Sequence, residues 1–251
     1  MSSQSARPLR RERRAAANAR RRVDRRPATR EPRGIGIGLV SLVALMAGAV
    51  LIAAVVILSA KPAPATGSVV RALAPAGIPA AGRVLGSATA PVAIDLYEDF
   101  QCPACEQWGQ NVFPSLVRNE LAAGTVRFVY HGFAFIGPES SDAGRAAWAA
   151  DQQGRFWDMW STLYANQGLH ENGGAFARPR LIAMADAVGL DPARFAADLD
   201  SVAATSFVAA GIADAAAAGV RSTPTLMIAG KALSGSGYAD VAAAIAAAAA
   251  P

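Results

Sequence analysis

The 251-residue chain is poor in the residue types that most often reveal chemistry: two cysteines, two histidines, 7% aromatic residues and 17% charged residues. Two cysteines exclude a disulfide-dense scaffold and an all-cysteine zinc site. The two histidines, His131 and His170, lie far from any paired ligand spacing, so a mixed cysteine–histidine centre lacks its second half. A basic excess is also missing from most of the chain. Met1 to Arg33 carries twelve Arg against Glu12, Asp24 and Glu31, while the other 218 residues hold twelve basic and sixteen acidic groups. The net charge of +5 is therefore an asymmetry between segments. It argues against nucleic-acid binding by the folded part, which would need a basic face. No internal repeat is visible.

Charge disappears altogether over the 27 residues from Gly34 to Ala60, GIGIGLVSLVALMAGAVLIAAVVILSA. About 20 apolar residues cross a hydrocarbon core ~30 Å thick, so residues 34–60 are expected to form a transmembrane helix. A cleaved signal peptide is the alternative, with Ala63-Pro64-Ala65 as a small-residue cleavage pattern. Its apolar run would be only ~7–15 residues. Twelve Arg before the span keep the N-terminus cytoplasmic by the positive-inside rule. Residues 1–33 are expected as a disordered basic tail, serving as a topology signal, with binding to anionic lipid or nucleic acid as the other reading. Residues 61–82, rich in Pro, Ala and Gly, suit an extended tether. Residues 83–251 then form the folded domain, outside the cytoplasm, where disulfides persist.

Within that domain, Ala90 to Tyr97 is a compact apolar run suited to a strand buried on both faces. Cys102-Pro103-Ala104-Cys105 follows, and Pro103 suits the first position of a helix, where its missing N–H has no partner to lose. Trp108, Val112, Leu116 and Val117 continue at helical spacing. Thr125 to Tyr130 alternates as a second strand. A helical block spans about 138–220, with an aromatic stripe from Phe156 to Tyr164 that reads as core packing or, alternatively, a substrate groove. Asp191-Pro192 is an N-cap with Pro behind it, opening a further helix. Thr225 to Ile228 returns to strand, Gly230-Lys231 turns a hairpin, and Tyr238 to Ala250 is an Ala-rich final helix. The fold class is thus α/β, βαβ then ββα, with an all-helical insertion.

The cysteine pair carries the chemistry. At a helix start, the Cys102 sulfur meets unpaired N–H groups and the positive end of the dipole, which favour its thiolate. Each pKa unit of depression is ~1.4 kcal/mol of preference for that form. A thiolate attacks disulfides and also leaves well afterwards. Cys105, one turn on, points inward and can resolve a mixed disulfide. The alternatives are an inert local disulfide, although a structural bridge gains more by closing a long loop, and half a zinc site. Each histidine alone reads as a surface or core residue rather than a base.

Three features in order, EDFQCPAC after a buried strand, AAWAADQQGRFWDMWSTLY in the helical block, and GVRSTPTLMI, resemble the thioredoxin superfamily. Within it they resemble the membrane-anchored DsbA-like thiol–disulfide oxidoreductases. The resemblance covers roughly Arg83 to Ala250. It implies a thioredoxin-like fold that sets Thr223-Pro224 beside the CxxC, with Pro224 cis and the Thr223 backbone turned toward a bound substrate. It further implies catalysis by Cys102, Cys105 and Pro224, with no cofactor beyond the Cys102–Cys105 disulfide. The implied partners are cysteine-containing secreted proteins and a membrane redox partner, DsbB- or VKOR-like, that recycles the dithiol. Many relatives carry a carboxylate six residues before the first cysteine. Here Leu96 stands there, with Asp95, Glu98 and Asp99 nearby. The Pro-Ala dipeptide also lacks the His found between the cysteines of strongly oxidising relatives. A dithiol oxidase leads this reading; a reductase or isomerase, or a membrane-tethered peptide-binding module with a passive disulfide, are the alternatives.

Overall fold

A computed structural model describes residues 68–250. The expected basic tail, 1–33, the expected transmembrane helix, 34–60, and the first part of the expected tether, 61–67, lie outside the described residues. Among the described residues no single helix is long and apolar enough to cross a membrane.

The described chain runs β1 (Ala80–Ala81), β2 (Val84–Gly86), β3 (Val92–Glu98), α1 (Pro103–Asn111), α2 (Phe113–Leu116), β4 (Val126–Gly132), then α3 (Pro138–Asp151) and α4 (Phe156–Ala165). It continues through α5 (Arg178–Ala187), α6 (Pro192–Leu199), α7 (Val202–Ala217), β5 (Thr225–Ile228), β6 (Lys231–Ala232) and α8 (Tyr238–Ala249). The six strands form one sheet in the order β1-β2-β4-β3-β5-β6. β3 and β4 pair in parallel, the geometry that a helical crossover such as α1–α2 permits, and the other pairings are antiparallel. This is the expected α/β order with α3 to α7 as the all-helical insertion. The strands β1 and β2 were not signalled, because five residues of Ala, Val, Leu and Gly carry no readable alternation.

β3 is central, and alternate residues on it face different layers. Ile94 and Leu96 enter the main core with Trp108, Phe113, Phe128 and the aromatic residues of α4. Tyr97 on the other face packs in a smaller cluster with Ala215, Val220, Met227 and Phe133. α7 approaches β4 so closely that a Cβ at Gly211 would stand 2.3 Å from the Gly132 carbonyl oxygen, so only glycine fits there.

The segment expected as a free tether is tied down from residue 69 onward. Val69, Ala74 and Ile78 pack on the main core. The Val70 N–H donates to Asn166 Oδ1 at 2.9 Å, and Asn166 Nδ2 donates back to the Val70 carbonyl at 2.7 Å. The Ala72 N–H donates to Thr162 Oγ1, and the Ala74 N–H to Asp158 Oδ1. Residues 158, 162 and 166 are spaced i, i+4, i+8, which places them on one side of α4 and its C-cap. An extended strap is therefore held by helix side chains. Composition read this stretch as a tether because its partners are backbone groups bonded to residues about ninety positions away.

Candidate active site

The turn after β3 sets the geometry. Asp99 O accepts the Cys102 N–H at 2.9 Å, and Cys102 becomes the N-cap of α1 with extended backbone, φ −72° and ψ 116°. Pro103 opens the helix, and the Cys102 carbonyl accepts the N–H groups of Cys105 at 3.1 Å and Glu106 at 3.2 Å. Gln167, just beyond α4, donates its side-chain amide to the carbonyls of Phe100 at 2.7 Å and Cys102 at 3.1 Å. Asp99 is spent on backbone: Oδ1 accepts from Gln101 N, and Oδ2 from Phe135 N and Ile136 N. Gln101 in turn bonds Ser140 and Asn172. The loops around Cys102 are thus fixed by amide and carboxylate groups, and Phe135 and Leu169 on two of them remain exposed.

Both cysteines are free thiols, Cys102 at 7% exposure and Cys105 at 0%. Their environments pull their proton affinities apart. A hydrogen bond from Cys105 lowers the Cys102 pKa to about 6 against the cost of burial, helped by Thr223 and the backbone N–H groups of Cys105 and Ala104. Burial pushes the Cys105 thiol far up, and its hydrogen bond to Cys102 and the charge of Glu98 add to the rise. The site therefore holds one thiolate at neutral pH, on the sulfur nearer solvent.

The sequence-predicted residues meet across the fold. The Thr223–Pro224 peptide is cis. The Cys102 sulfur lies 3.3 Å from the Thr223 carbonyl oxygen, which accepts its S–H when the thiol is protonated, across 121 positions of sequence. Thr223 Oγ1 is buried with no other hydrogen-bond partner, which leaves the hydroxyl available to the sulfur. Both histidines stand apart from the sulfurs. His131 bonds Asp95 at 2.9 Å and stacks on Tyr97, and His170 is exposed. The described residues contain no group of three His, Cys, Asp or Glu side chains able to hold a metal.

Leu96 is fully buried apolar core, so the carboxylate position six residues before Cys102 is filled by hydrocarbon. Of the three nearby acids, Asp95 faces His131 and Asp99 ties down backbone. Glu98 acts on the sulfurs through its charge, whereas Asp99 reaches Cys105 through its backbone. Glu98 is 0% exposed, accepts the Trp160 Nε1–H on Oε2 at 2.8 Å, and has no partner for Oε1. Burial raises its pKa to about 8; the Trp160 hydrogen bond opposes the rise and the charge of Cys102 adds to it. Sequence reading named Glu98 as one of three nearby acids without choosing among them, took Trp160 as part of the aromatic stripe, and missed Gln167. The available signal was strand periodicity, since residue 98 shares the inward face of residue 96.

Comparison with known proteins agrees with this geometry. The sequence model of a family described as thioredoxin matches residues 80–247. A "Probable disulfide bond formation protein D" of Bacillus cereus is 36% identical over 86 residues, 33% of this chain and 39% of that one. The chain thus spans well under half the length of that relative. The crystal structure of oxidised BdbD from Bacillus subtilis superposes with a TM-score of 0.62 at 24% identity, covering 71% of this chain and 99% of that one. Alpha-DsbA1 from Wolbachia pipientis superposes with a TM-score of 0.59 at 15% identity, covering 70% and 93%. At these identities the two structures support the fold: thioredoxin-like, with an all-helical insertion.

Proposed function

Because the chain belongs to the thioredoxin family, we propose that it is a DsbA-like thiol–disulfide oxidoreductase working as a dithiol oxidase outside the cytoplasm. The observation that carries this reading is the split between the two thiols, Cys102 lowered to about 6 and Cys105 pushed up. In the oxidised enzyme a substrate thiolate attacks Cys102 Sγ, and the Cys102–Cys105 bond breaks with its electron pair on Cys105. A second substrate thiolate attacks the substrate sulfur of the mixed disulfide and expels Cys102, which leaves readily as its stabilised thiolate. The substrate is oxidised by two electrons and the enzyme pair reduced. Stabilising the reduced form in this way makes the disulfide a stronger oxidant.

The substrates proposed are cysteine-containing secreted proteins still unfolded, whose apolar segments can rest on exposed Phe135 and Leu169. The Thr223 carbonyl, already within 3.3 Å of the Cys102 sulfur, marks where a substrate strand would lie. The charge step across residues 34–60 supports a single-pass anchor with a cytoplasmic N-terminus. Such an anchor suits recycling by a DsbB- or VKOR-like membrane partner. The catalytic set is Cys102, Cys105 and Pro224, with Thr223 binding substrate. No cofactor beyond the Cys102–Cys105 disulfide is needed for this exchange.

Equilibration with glutathione tests the direction of exchange. A potential near about −120 mV is the oxidase result, and one near about −270 mV would make the protein a reductant. Alkylation should label Cys102 with a midpoint near pH 6 and leave Cys105 unmodified. Equal labelling of both thiols would remove the assignment of roles.

A further inference from the structure

The aromatic stripe that sequence alone reads as core packing or a substrate groove is both. Trp160 and Tyr164 are buried, yet with Phe113 they line a cavity of about 430 Å³ between α1, α2, α4 and the strap. Gly109 keeps it open. A Cβ there would stand 3.4 Å from Trp160 Cη2, so the glycine lets the indole ring form the wall. The wall is preformed, because the Trp160 indole donates to Glu98 at 2.8 Å and the Tyr164 hydroxyl to the Asp99 carbonyl at 3.3 Å. α1 turns a different side toward the segment before α8, where Trp108 donates to the Ser236 carbonyl.

The strap offers this groove an unpaired backbone edge. Val70, Ala72 and Ala74 bond α4 side chains, alternate residues of an extended chain, so the N–H and C=O groups of Arg71 and Leu73 turn to the other edge. Neither residue's backbone bonds another described residue. Leu73 lines the groove with its side chain 44% exposed. A free N–H and C=O on extended backbone are a template for an added strand, and a hydrocarbon tail would leave both unused. The ends of the groove carry opposite charges, Glu106 and Arg118. Among the described residues each bonds only a neutral neighbour on its own helical segment, Gln110 and Ser115. They lie about 18 Å apart along a nearly continuous helical path, the length of about five extended residues. The Glu106 N–H bonds the Cys102 carbonyl at 3.2 Å, so the acidic end begins one helical turn from the reactive sulfur.

We propose that this groove is a second polypeptide-binding site, which takes an extended apolar segment of an unfolded chain as a strand added to the strap at Leu73. A basic residue of the segment lies toward Glu106 and an acidic one toward Arg118. That the segment belongs to an oxidation substrate rests on the disulfide-exchange reading above; the binding itself does not. A chain gripped here, several residues from the cysteine that meets Cys102, is selected for being unfolded, since a folded protein offers no free apolar strand.

The test uses full-length protein in lipid nanodiscs, which keep detergent out of the groove. The probe is a capped, dye-labelled peptide without cysteine, about five apolar residues between Lys and Glu, titrated by anisotropy. Gly109→Met fills the groove with a helix-favouring side chain, so the protein should fold while affinity drops by about tenfold or more. Leu73→Pro removes the strap N–H and keeps the bonds of Val70, Ala72 and Ala74; it should weaken binding by about tenfold, and Leu73→Ala by less. Arg118→Glu should weaken this peptide about fivefold and spare one with Lys at both ends. Release of glutathione loaded on Cys102, which does not use the groove, should stay within twofold of wild type in every variant. Affinity unchanged in both Gly109→Met and Leu73→Pro overturns the inference alone. So does a dimer in sedimentation that Gly109→Met dissociates, which would assign the groove to a second copy. A wild-type adduct that never releases glutathione overturns the exchange reading, while probe binding lost in Gly109→Met still upholds the groove as a peptide site.

Discussion

The two faces of β3 carry carboxylates three residues apart, and their surroundings give them different work. Asp95 is about one-third exposed, bonds His131 at 2.9 Å and lies beside a Tyr97 ring stacked on that imidazole. Glu98 is fully buried and accepts the Trp160 indole N–H, and burial raises its pKa to about 8 against hydrogen bonding by Trp160 and Tyr164. Residue type differs by one methylene; what differs greatly is access to water. On the Asp95 face, water and an imidazole share the charge, and the pair is an ordinary surface contact. On the Glu98 face the carboxyl is fully buried, and burial favours its protonated form.

The harshest way to break this comparison is to place a second acid on the sealed face. Leu96→Glu puts a carboxylate at a position with 0% exposure, beside Glu98 and without a partner. Stability should fall by about 3 kcal/mol or more, read by chemical denaturation. A variant as stable as wild type would show that this face admits water after all.

A smaller effect sharpens the contrast through pH. The Glu98 pKa is higher in the folded protein than its ordinary value of 4.5, so the folded state binds more protons between those values. Its contribution is fully present below about pH 4.5 and is lost as pH rises through about 8. In the oxidised protein, where the Cys102 charge no longer adds to the rise, burial of Glu98 should still cost stability as pH climbs above about 4.5, at up to ~1.4 kcal/mol per pH unit. Denaturation midpoints of Glu98→Gln should stay flat over the same range. A wild-type curve that is equally flat would place water at Glu98.

The smallest change is expected on the open face. Asp95→Asn removes a half-exposed pair whose side chains are 19% and 35% accessible. Stability should move by less than ~1 kcal/mol, and the rate of glutathione release from Cys102 should stay within twofold. A larger loss in exchange rate would mean that the His131 face couples to the sulfurs.

Much of the architecture was legible because it is local. Pro103 after Cys102 set a helix start, Asp191-Pro192 set another, and β-branched runs marked β3, β4 and β5. The pairing of Thr223-Pro224 with Cys102 was legible only through family resemblance, since no local pattern links positions 121 apart. The strap from Val70 to Ala74 was not legible, because its stabilising partners are Asp158, Thr162 and Asn166 on a distant helix. Nor was the full burial of Glu98. A sequence places three acids before Cys102, yet which one is fully buried depends on what covers each face of the strand.

By itself the amino-acid order determined where chain direction changes, which residues share a strand face, and that two thiols sit one helical turn apart, since these follow from backbone sterics and side-chain periodicity. The helix start already marked Cys102 as the thiolate, while the tertiary structure alone decided which carboxyl is fully buried and which distant carbonyl touches Cys102. Those outcomes depend on desolvation and on hydrogen bonds between segments far apart in sequence, and neither exists until the layers have packed.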